Sequence, residues 1–230
     1  MRLWKLLMEQ INNSIMKDIA IFGAGGFGRE IACLINRINL NQKDREKWNL
    51  IGFFDDASNL KGSHNEYGEV LGGMDLLNSW KKPLSVVIAI GNPTILELLV
   101  GKIGNELIDF PNLIDPDVDF MDYTNVRMGV GNVFCTRCTI STNVTIGNFN
   151  LFNVGTGVGH DAIIGNYNVA MPNVNISGGV EIGNTNLLGV KSTILQYLKV
   201  GDNVKLGAGS LLMRNAKSAN LYFGVPAEKK

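Results

Sequence analysis

"TIGNFNLFNVGTGVGHDAIIGNYNVAMPNVNISGGVEIGN", residues 145–184, carries an apolar residue at every sixth position, and the series continues on both sides. Its members are Ile140, Ile146, Phe152, Val158, Ile164, Ala170, Ile176, Ile182, Leu188, Ile194, Val200, Leu206 and Leu212. In a chain that is 45% hydrophobic, an unbroken series of this length is not expected by chance. The second half of the chain therefore predicts a repeat structure that buries one side chain in every six.

A longer period marks the glycines that follow these apolar residues. Gly147, Gly165, Gly183 and Gly201 are spaced by eighteen, whereas the earlier Val130-Gly131 pair lies sixteen residues before Gly147. Six residues per side and eighteen per turn describe a triangular prism of short parallel strands, about 4.8 Å from those of the next coil. Glycine, asparagine and serine would form its corners, where a positive φ is often needed. The first coil is expected to be shortened or irregular.

The first half of the chain predicts a small βαβ sheet. "KDIAIFGAGGFGREIACLINRI", residues 17–38, indicates a strand, a glycine turn and a helix from about Gly28, with Gly23, Gly25 and Gly28 forming GxGxxG. Such a turn lets the backbone approach a pyrophosphate at a helix N-terminus. By itself the motif is not specific, and a tight turn without a ligand is the alternative. Further strands are predicted at 50–56, 70–71 and 86–90, with helices at 75–80 and 94–102.

Two acidic residues end the second strand, in "LIGFFDD", residues 50–56. Asp55 lies 30 residues after Gly25, farther than the roughly 20 residues typical of a ribose-binding acid in a dinucleotide site. The sequence also leaves no room for a second mononucleotide-binding half, which favours a single nucleotide with an attached group. Asp55 and Asp56 are candidate acceptors for a base N–H or a ribose hydroxyl, and a solvated acidic loop is the alternative.

Composition excludes several classes of function. Lys+Arg and Asp+Glu both number 21, which argues against nucleic acid as the main partner, and no apolar run is long enough for a membrane span. The three cysteines, Cys33, Cys135 and Cys138, cannot form a disulfide framework, so a reducing cytoplasm is expected. Cys135 and Cys138 form one CxxC without a second ligand pair, which favours packing residues over a redox or metal site. No metal is expected.

These patterns divide the chain into three parts. Residues 1–16 are expected to be an N-terminal extension, in which Leu3, Leu6, Leu7 and Ile11 have the spacing of a short amphipathic helix. Residues 17–113 are expected to form a Rossmann-like nucleotide-binding α/β domain, and residues 114–230 the repeat domain.

The combination of motifs is more specific than any one of them. A short glycine-loop domain with "FFDD" at a strand end, hexapeptide coils, "GHD" at 159–161 and a terminal "GVPA" at 224–227 occur together. Over about residues 17–228 the chain resembles the sialic acid O-acetyltransferases and the nucleotide-activated amino-sugar N-acetyltransferases. The resemblance implies a left-handed parallel β-helix of hexapeptide repeats, a homotrimer, acetyl-CoA as donor and a nucleotide-linked sugar as acceptor. It also implies a role in polysaccharide biosynthesis.

The resemblance assigns roles to residues of this chain. The catalytic histidine of the family corresponds to His160, with Asp161 as its acidic neighbour, and the acceptor-side asparagine corresponds to Asn153. The remaining correspondences are Gly178 for the glycine that contacts CoA, Gly224, Val225, Pro226 and Ala227 for the segment that closes over CoA, and Gly23, Gly25, Gly26, Asp55 and Asp56 for the nucleotide contacts.

Two positions depart from the family pattern. Phe27 stands where N-acetyltransferases often carry a histidine near the acceptor, and Asp115 stands where relatives commonly carry histidine. Because Phe27 cannot hydrogen-bond a sugar, N-transfer and O-transfer both stay open.

The spacing of the repeat also bears on His160. Gly178 lies eighteen residues later, so the two should be neighbours on adjacent coils, about 5 Å apart. Histidine suits the role of general base, and no cysteine, serine or lysine is placed as a nucleophile, which favours direct attack on the thioester. Because neighbouring strand residues face opposite sides, Asp161 can orient His160 only if the backbone turns there; a solvated corner is the alternative.

The function that these observations favour is acetyl-CoA-dependent transfer to an amino or hydroxyl group of a sugar, with His160 as general base. The alternative is a non-catalytic trimeric scaffold that binds nucleotide sugars. A nucleotidyltransferase would need a larger nucleotide domain and metal-binding acids.

Overall fold

The computed structural model describes residues 16–41 and 47–230. The amphipathic helix predicted near the N-terminus lies outside the described residues. Met16, the last residue assigned to the extension, begins the first strand of the α/β domain.

The α/β domain contains six strands and three helices. The strands are β1 Met16–Phe22, β2 Lys47–Phe54, β3 His64–Asn65, β4 Gly68–Gly72, β5 Leu84–Ile88 and β6 Ile108–Asp109. The helices are α1 Gly26–Asn41, α2 Met74–Ser79 and α3 Pro93–Lys102. The sheet order is β3-β4-β2-β1-β5-β6, and every pairing is parallel except the β3–β4 hairpin.

The burial of the central strands and of one helix face accounts for the arrangement of this domain. All of β5 and the last four residues of β1 are buried, as expected for central parallel strands that are covered on both faces. Helix α1 buries Ile31, Leu34, Ile35 and Ile38, one face at helical spacing. The strand order reverses between β1 and β5, which opens a crevice at their carboxyl ends. The predicted α/β domain is confirmed. No helix in the two described ranges is long and apolar enough to cross a membrane.

Short strands make up the rest of the chain. They are β7 Leu113–Ile114, β8 Asp119–Phe120, β9 Val126–Met128, β10 Val133–Phe134, β11 Thr139–Ile140, β12 Val144–Ile146, β13 Leu151–Phe152, β14 Gly157–Val158, β15 Ile163–Ile164, β16 Val169–Ala170, β17 Asn175–Ile176, β18 Glu181–Ile182, β19 Leu187–Leu188, β20 Thr193–Ile194, β21 Lys199–Val200, β22 Lys205–Leu206, β23 Leu211–Leu212, β24 Leu221–Phe223 and β25 Glu228–Lys229. Every third strand pairs in parallel from β7 to β23, which gives the three sides of a prism. Strand β24 extends the side that contains β22, and β25 closes it as an antiparallel hairpin.

This second domain is the predicted left-handed parallel β-helix. The apolar series from Ile140 to Leu212 lines its interior, and each member is at most 4% exposed. Paired residues are eighteen apart from β9 to β23, as in the pairs Thr139–Gly157 and Ile163–Glu181.

The first coil is irregular, which was one of the two predicted alternatives, but it is longer than the others and not shortened. Leu113 pairs with Val133, twenty residues later, whereas Val126 pairs with Val144, eighteen later. The two extra residues lie between β8 and β9, where a 3-10 turn spans Tyr123–Asn125. The glycine in register with Gly147 is consequently Gly129 rather than Gly131.

A ladder of asparagines runs inside one corner of the β-helix. Its members are Asn112, Asn132, Asn150, Asn168 and Asn186, and the last four are at most 4% exposed. The backbone N–H and the side-chain amide of Asn150 both donate to Oδ1 of Asn132, at 2.9 and 3.1 Å, and the amide also donates to the Gly165 carbonyl at 2.9 Å. Each coil thus satisfies buried polar groups of the next. Sequence reasoning missed this ladder, although its eighteen-residue spacing is visible.

An ion pair joins the two domains. The Arg37 guanidinium of α1 donates to both oxygens of Asp115, at 2.7 and 3.0 Å, and to Asp117 at 2.7 Å. Asp115 is only 3% exposed, and the hydrogen bonds and charges of the two carboxylates raise the pKa of Arg37 above its ordinary value. Leu151 and Val169 of the β-helix also pack into the hydrophobic core of the α/β domain. The core of the α/β domain therefore extends onto one outer side of the β-helix, whose interior is a separate core.

The buried ladder should be more sensitive to substitution than its exposed counterpart. Asn150→Ala removes the acceptor of the Asn168 N–H and amide and the donor to Gly165, which should cost roughly 1–3 kcal/mol for each buried group left unpaired. Asn184→Ala is the matched control, because Asn184 lies at the same spacing in a partly exposed ladder whose groups water can reach. Thermal unfolding followed by circular dichroism measures both variants. Equal losses would contradict this assignment of stability to the buried ladder.

Candidate active site

His160 lies at an open corner between β14 and β15, with 53% of its side chain exposed. Asp161 follows it with a φ of +59°, in the left-handed region. This turn interrupts the alternation of the strands and brings the two side chains together, with His160 Nδ1 at 2.7 Å from Asp161 Oδ2. The sequence left open whether the backbone turns at Asp161, and the structure contains this turn. Residues at this point of the corner repeat the conformation in adjacent coils, as in Asn143 (φ +55°) and Gly179 (φ +67°).

The Asp161 carboxylate also accepts a hydrogen bond from the coil before it. The Asn143 amide donates to Oδ1 of Asp161 at 2.6 Å. This hydrogen bond, followed by that of His160, holds the pKa of Asp161 below its ordinary value, so the carboxylate is ionised at neutral pH. An ionised carboxylate accepts only, so Nδ1 of a neutral His160 carries the proton and Nε2 keeps its lone pair. Nε2 is therefore the nitrogen that can take up a proton.

Gly178 lies one coil further along, against the ring of His160. A Cβ built on Gly178 would lie 2.5 Å from Nε2, so a side chain here would displace the imidazole. The coils are joined at this point by a hydrogen bond of 2.8 Å from the Gly179 N–H to the His160 carbonyl. The backbone N–H of Gly178 itself has no acceptor within the described residues. His160 and Gly178 are neighbours on adjacent coils, as their spacing of eighteen residues predicts. The role of Gly178 towards CoA stays a prediction.

Asn153 lies at the other end of the same side of the prism, before β14. It lines a cleft of about 560 Å³ between the β-helix and α1, together with Glu30, Cys33 and Met171. Its Oδ1 accepts the Val154 N–H at 2.7 Å, and its amide group has no partner within the described residues. The amide is thus available to a ligand, and the role of Asn153 towards the acceptor stays a prediction.

The CxxC cysteines are packing residues in this structure. Burial raises the pKa of Cys135 to about 12 and that of Cys138 to about 11, so both thiols are protonated at neutral pH. Cys138 is fully buried, with its sulfur 3.3 Å from the Asn153 carbonyl. Within residues 16–41 and 47–230, the side chains of His, Cys, Asp and Glu form no group of three or more that could hold a metal ion.

The glycines of the loop after β1 have two different roles. Gly23 has a φ of +113° and donates its N–H to the Phe54 carbonyl at 2.7 Å, and a Cβ on Gly28 would collide with the Gly23 carbonyl. These two glycines are required by the turn itself. A Cβ on Gly25 would meet nothing within 4 Å, and one on Gly26 only Arg29, at 4.0 Å. Gly25 and Gly26 therefore present open backbone at the N-terminus of α1.

Asp55 and Asp56, directly after β2, both accept hydrogen bonds from backbone N–H groups. Asp55 accepts the Ala24 N–H of the glycine loop at 2.9 Å, and Asp56 accepts the Met74 N–H at 2.7 Å. Both also line a cleft of about 530 Å³ with Lys61 and other residues. Asp55 thus contacts the backbone of the glycine loop, a hydrogen bond that the sequence did not predict, and the contacts of Asp55 and Asp56 to a base or ribose stay predictions.

The GVPA segment packs on the last coil. The Gly224 carbonyl accepts the Leu211 N–H at 3.0 Å, the Ala227 N–H donates to the Leu211 carbonyl at 2.8 Å, and Val225 is 70% exposed. This arrangement leaves Val225 and Pro226 at the surface of the terminal hairpin. Closure of the segment over CoA stays a prediction.

The two departures from the family pattern have structural explanations. Phe27 is half-buried and packs against the core of the α/β domain. Asp115 is the buried partner of Arg37, so at this position a carboxylate serves the joint between the domains. Neither side chain is hydrogen-bonded to His160, whose ring is bound to Asp161.

Comparison with known proteins agrees with these observations. Residues 18–103 match a family model described as the PglD N-terminal domain. The acetyltransferase domain of PglB from Neisseria gonorrhoeae has a TM-score of 0.83 at 24% identity, over 93% of this chain and 100% of that chain. For WeeI from Acinetobacter baumannii AYE the TM-score is 0.80 at 24% identity, over 94% and 100%.

A third structure is a histidine-to-asparagine variant of perosamine N-acetyltransferase from Caulobacter crescentus in complex with CoA and GDP-perosamine. Its TM-score is 0.79 at 22% identity, over 93% of this chain and 96% of that chain. No curated protein sequence matches the chain. Residues 18–103 are therefore similar to the PglD N-terminal domain, and the chain shares the fold of these three solved structures.

Proposed function

We propose that the protein is an acetyl-CoA-dependent acetyltransferase acting on an amino or hydroxyl group of a nucleotide-linked sugar. The observation that carries the proposal is the His160 corner, where Nδ1 is bound to Asp161 and Nε2 lies against the Gly178 backbone. Structures of the same fold support the two substrate classes. The PglB domain has been solved with acetyl-CoA, and perosamine N-acetyltransferase with CoA and GDP-perosamine.

In the proposed reaction, the acceptor nitrogen or oxygen attacks the thioester carbonyl carbon while Nε2 of His160 takes its proton. The carbonyl oxygen becomes anionic, and the free N–H of Gly178 donates a hydrogen bond to it. The carbon–sulfur bond then breaks, and the leaving thiolate takes the proton back from the imidazolium. Asp161 holds the ring in the tautomer that the first step needs and stabilises the imidazolium.

Direct attack is favoured over an acyl-enzyme. The ring of His160 hydrogen-bonds Asp161 and no hydroxyl or thiol group of the described residues. The two thiols of the β-helix, Cys135 and Cys138, are protonated and largely buried, so neither is an activated nucleophile.

The acceptor is proposed to bind across both domains. The open backbone at Gly25 and Gly26 at the N-terminus of α1 suits phosphate groups, and Asp55 and Asp56 are the proposed partners of the nucleoside. Glu30 and Cys33 on the same helix line the cleft that contains Asn153. The Asn153 amide is the proposed contact to the sugar.

A homotrimer is proposed as the active form. His160 stands on a convex corner, whereas small-molecule sites are concave and bury most of their ligand. A neighbouring prism would supply the missing wall, with CoA in the groove between two chains and residues 224–227 closing over it. Light scattering coupled to gel filtration gives the mass of the assembly.

Replacing the histidine tests the proposal directly. His160→Ala should lower kcat by about 10²–10⁴-fold, because the general base is lost, with fold and assembly unchanged. The assay is release of CoA thiol with a panel of nucleotide amino sugars and nucleotide sugars as acceptors. His64→Ala is the matched control, since His64 is exposed on β3 in the α/β domain, and it should keep wild-type turnover. Retained turnover in His160→Ala would contradict the assignment, and wild-type nucleotide binding without CoA consumption would indicate the scaffold.

Gly178→Ala tests the contact between the ring and the next coil. The added Cβ would lie 2.5 Å from Nε2 and would displace the imidazole, so kcat should fall by about a hundredfold, while the thermal midpoint stays close to wild type. Gly157→Ala is the control, because a Cβ there meets its nearest atom, Asn175 Oδ1, at an ordinary 3.5 Å. Equal activity in the two variants would contradict the assignment of Gly178 to the active site.

Gly25→Val tests the nucleotide loop. The side chain enters open space, so the unliganded protein should keep its thermal midpoint, and the stabilisation by nucleotide sugars should disappear because the backbone is covered. Gly104→Val places the same side chain at another open glycine of the α/β domain and should leave ligand stabilisation intact. Unchanged ligand shifts in Gly25→Val would place the nucleotide elsewhere.

A further inference from the structure

We infer that Asn143 is a positioning residue for His160, acting through Asp161 from the preceding coil. Its meaning for catalysis rests on the proposed function. Its evidence is the geometry of the side chains of Asn143, Asp161 and His160.

The repeat places Asn143 directly beside Asp161. The two residues are eighteen apart, and both adopt the left-handed conformation, with φ of +55° and +59°. The same local backbone sends both side chains in the same direction, as in any in-register column of the prism. The Thr142 carbonyl accepts the Asp161 N–H at 3.1 Å, which fixes the separation of the two corners.

The hydrogen bonds divide the Asp161 carboxylate between two partners. Oδ1 accepts from Asn143 at 2.6 Å, and Oδ2 lies 2.7 Å from Nδ1 of His160. With one oxygen held by the coil before it, the plane of the carboxylate is set, and the other oxygen is directed at the imidazole. Asn143 thus fixes the Asp161 carboxylate, and Asp161 in turn orients His160, the residue that touches the reacting groups in the proposed reaction.

Asp161 needs such support because it is exposed. Its side chain is 54% accessible, and a single polar contact between exposed side chains contributes little order by itself. On the other side of Asp161 the column continues with Gly179, which has no side chain to offer. The other acidic group at this corner, Asp122, accepts hydrogen bonds from Thr142, Thr124 and Asn125 and is not bound to Asp161. Within the described residues, Asn143 is the second hydrogen-bond partner of the Asp161 side chain after His160.

The test separates the amide of Asn143 from its backbone conformation. Asn143→Gly keeps the left-handed turn and removes the amide, and it should lower kcat by about ten- to hundredfold with KM for both substrates nearly unchanged. Asn203→Gly is the matched control, since Asn203 is also an exposed asparagine at a corner, with φ of +55°, and its side chain makes no hydrogen bond within the described residues. Equal losses in the two variants, or a loss of binding instead of kcat, would overturn the inference.

A double-mutant cycle shows whether Asn143 acts through Asp161. Asp161→Gly keeps the turn and removes the carboxylate, and adding Asn143→Gly to it should cause no further loss of kcat. Losses that multiply would mean that Asn143 acts independently of Asp161, which would overturn the inference.

A spectroscopic readout makes the test independent of turnover. The chain has only two histidines, so ring ¹⁵N spectra can be assigned with His64→Ala. In the wild type, His160 should be protonated at Nδ1 in its neutral form, and Asn143→Gly should shift it towards a mixture of tautomers, whereas Asn203→Gly should not. An unchanged tautomer in Asn143→Gly would overturn the inference. If the tautomer shifts but no acetyl transfer occurs in the wild type, the positioning role stands and the proposed function fails.

Discussion

The return of each coil to the same corner after eighteen residues is the constraint on which the rest of the β-helix depends. Backbone hydrogen bonds hold neighbouring coils in parallel register, and the buried asparagines connect one coil to the next inside the corner. A slip of one residue would turn the apolar interior outward and would leave the asparagine amides without partners. The packing of the apolar interior and the hydrogen bonds of the buried asparagines therefore favour the same register.

The candidate site is a product of that register. His160 meets Gly178, and Asp161 meets Asn143, because each pair is separated by one full coil. No residue of the site needs a special loop, since the ordinary left-handed corner supplies the turn that brings Asp161 to His160. The position of the α/β domain relative to the β-helix is set by the Arg37–Asp115 ion pair and by the packing of Leu151 and Val169 into the core of the α/β domain.

Regular periodicity made much of this predictable. The apolar series gave the interior of the prism, the interval of eighteen gave the neighbourhood of His160 and Gly178, and the glycine motif gave the turn before α1. Prediction failed where a local conformation broke a simple rule. Alternation along a strand does not apply at a left-handed corner, so the contact of Asp161 stayed open. The 3-10 turn at Tyr123–Asn125 lengthened a coil that was expected to be shortened or irregular. The role of Arg37 was not predictable, because it depends on how the two domains pack.

The two extra residues of the first coil have a consequence for how such a domain can change in length. They lie between β8 and β9, and pairing takes up the eighteen-residue interval from β9. An insertion in a terminal coil is thus absorbed locally, whereas the same insertion between Asn143 and Gly178 would separate groups that must face each other. Between those residues only a whole coil could be gained or lost without shifting the columns, and even that change would separate residues that are now neighbours. Insertions and deletions should therefore be found at the ends of the prism and be selected against around His160.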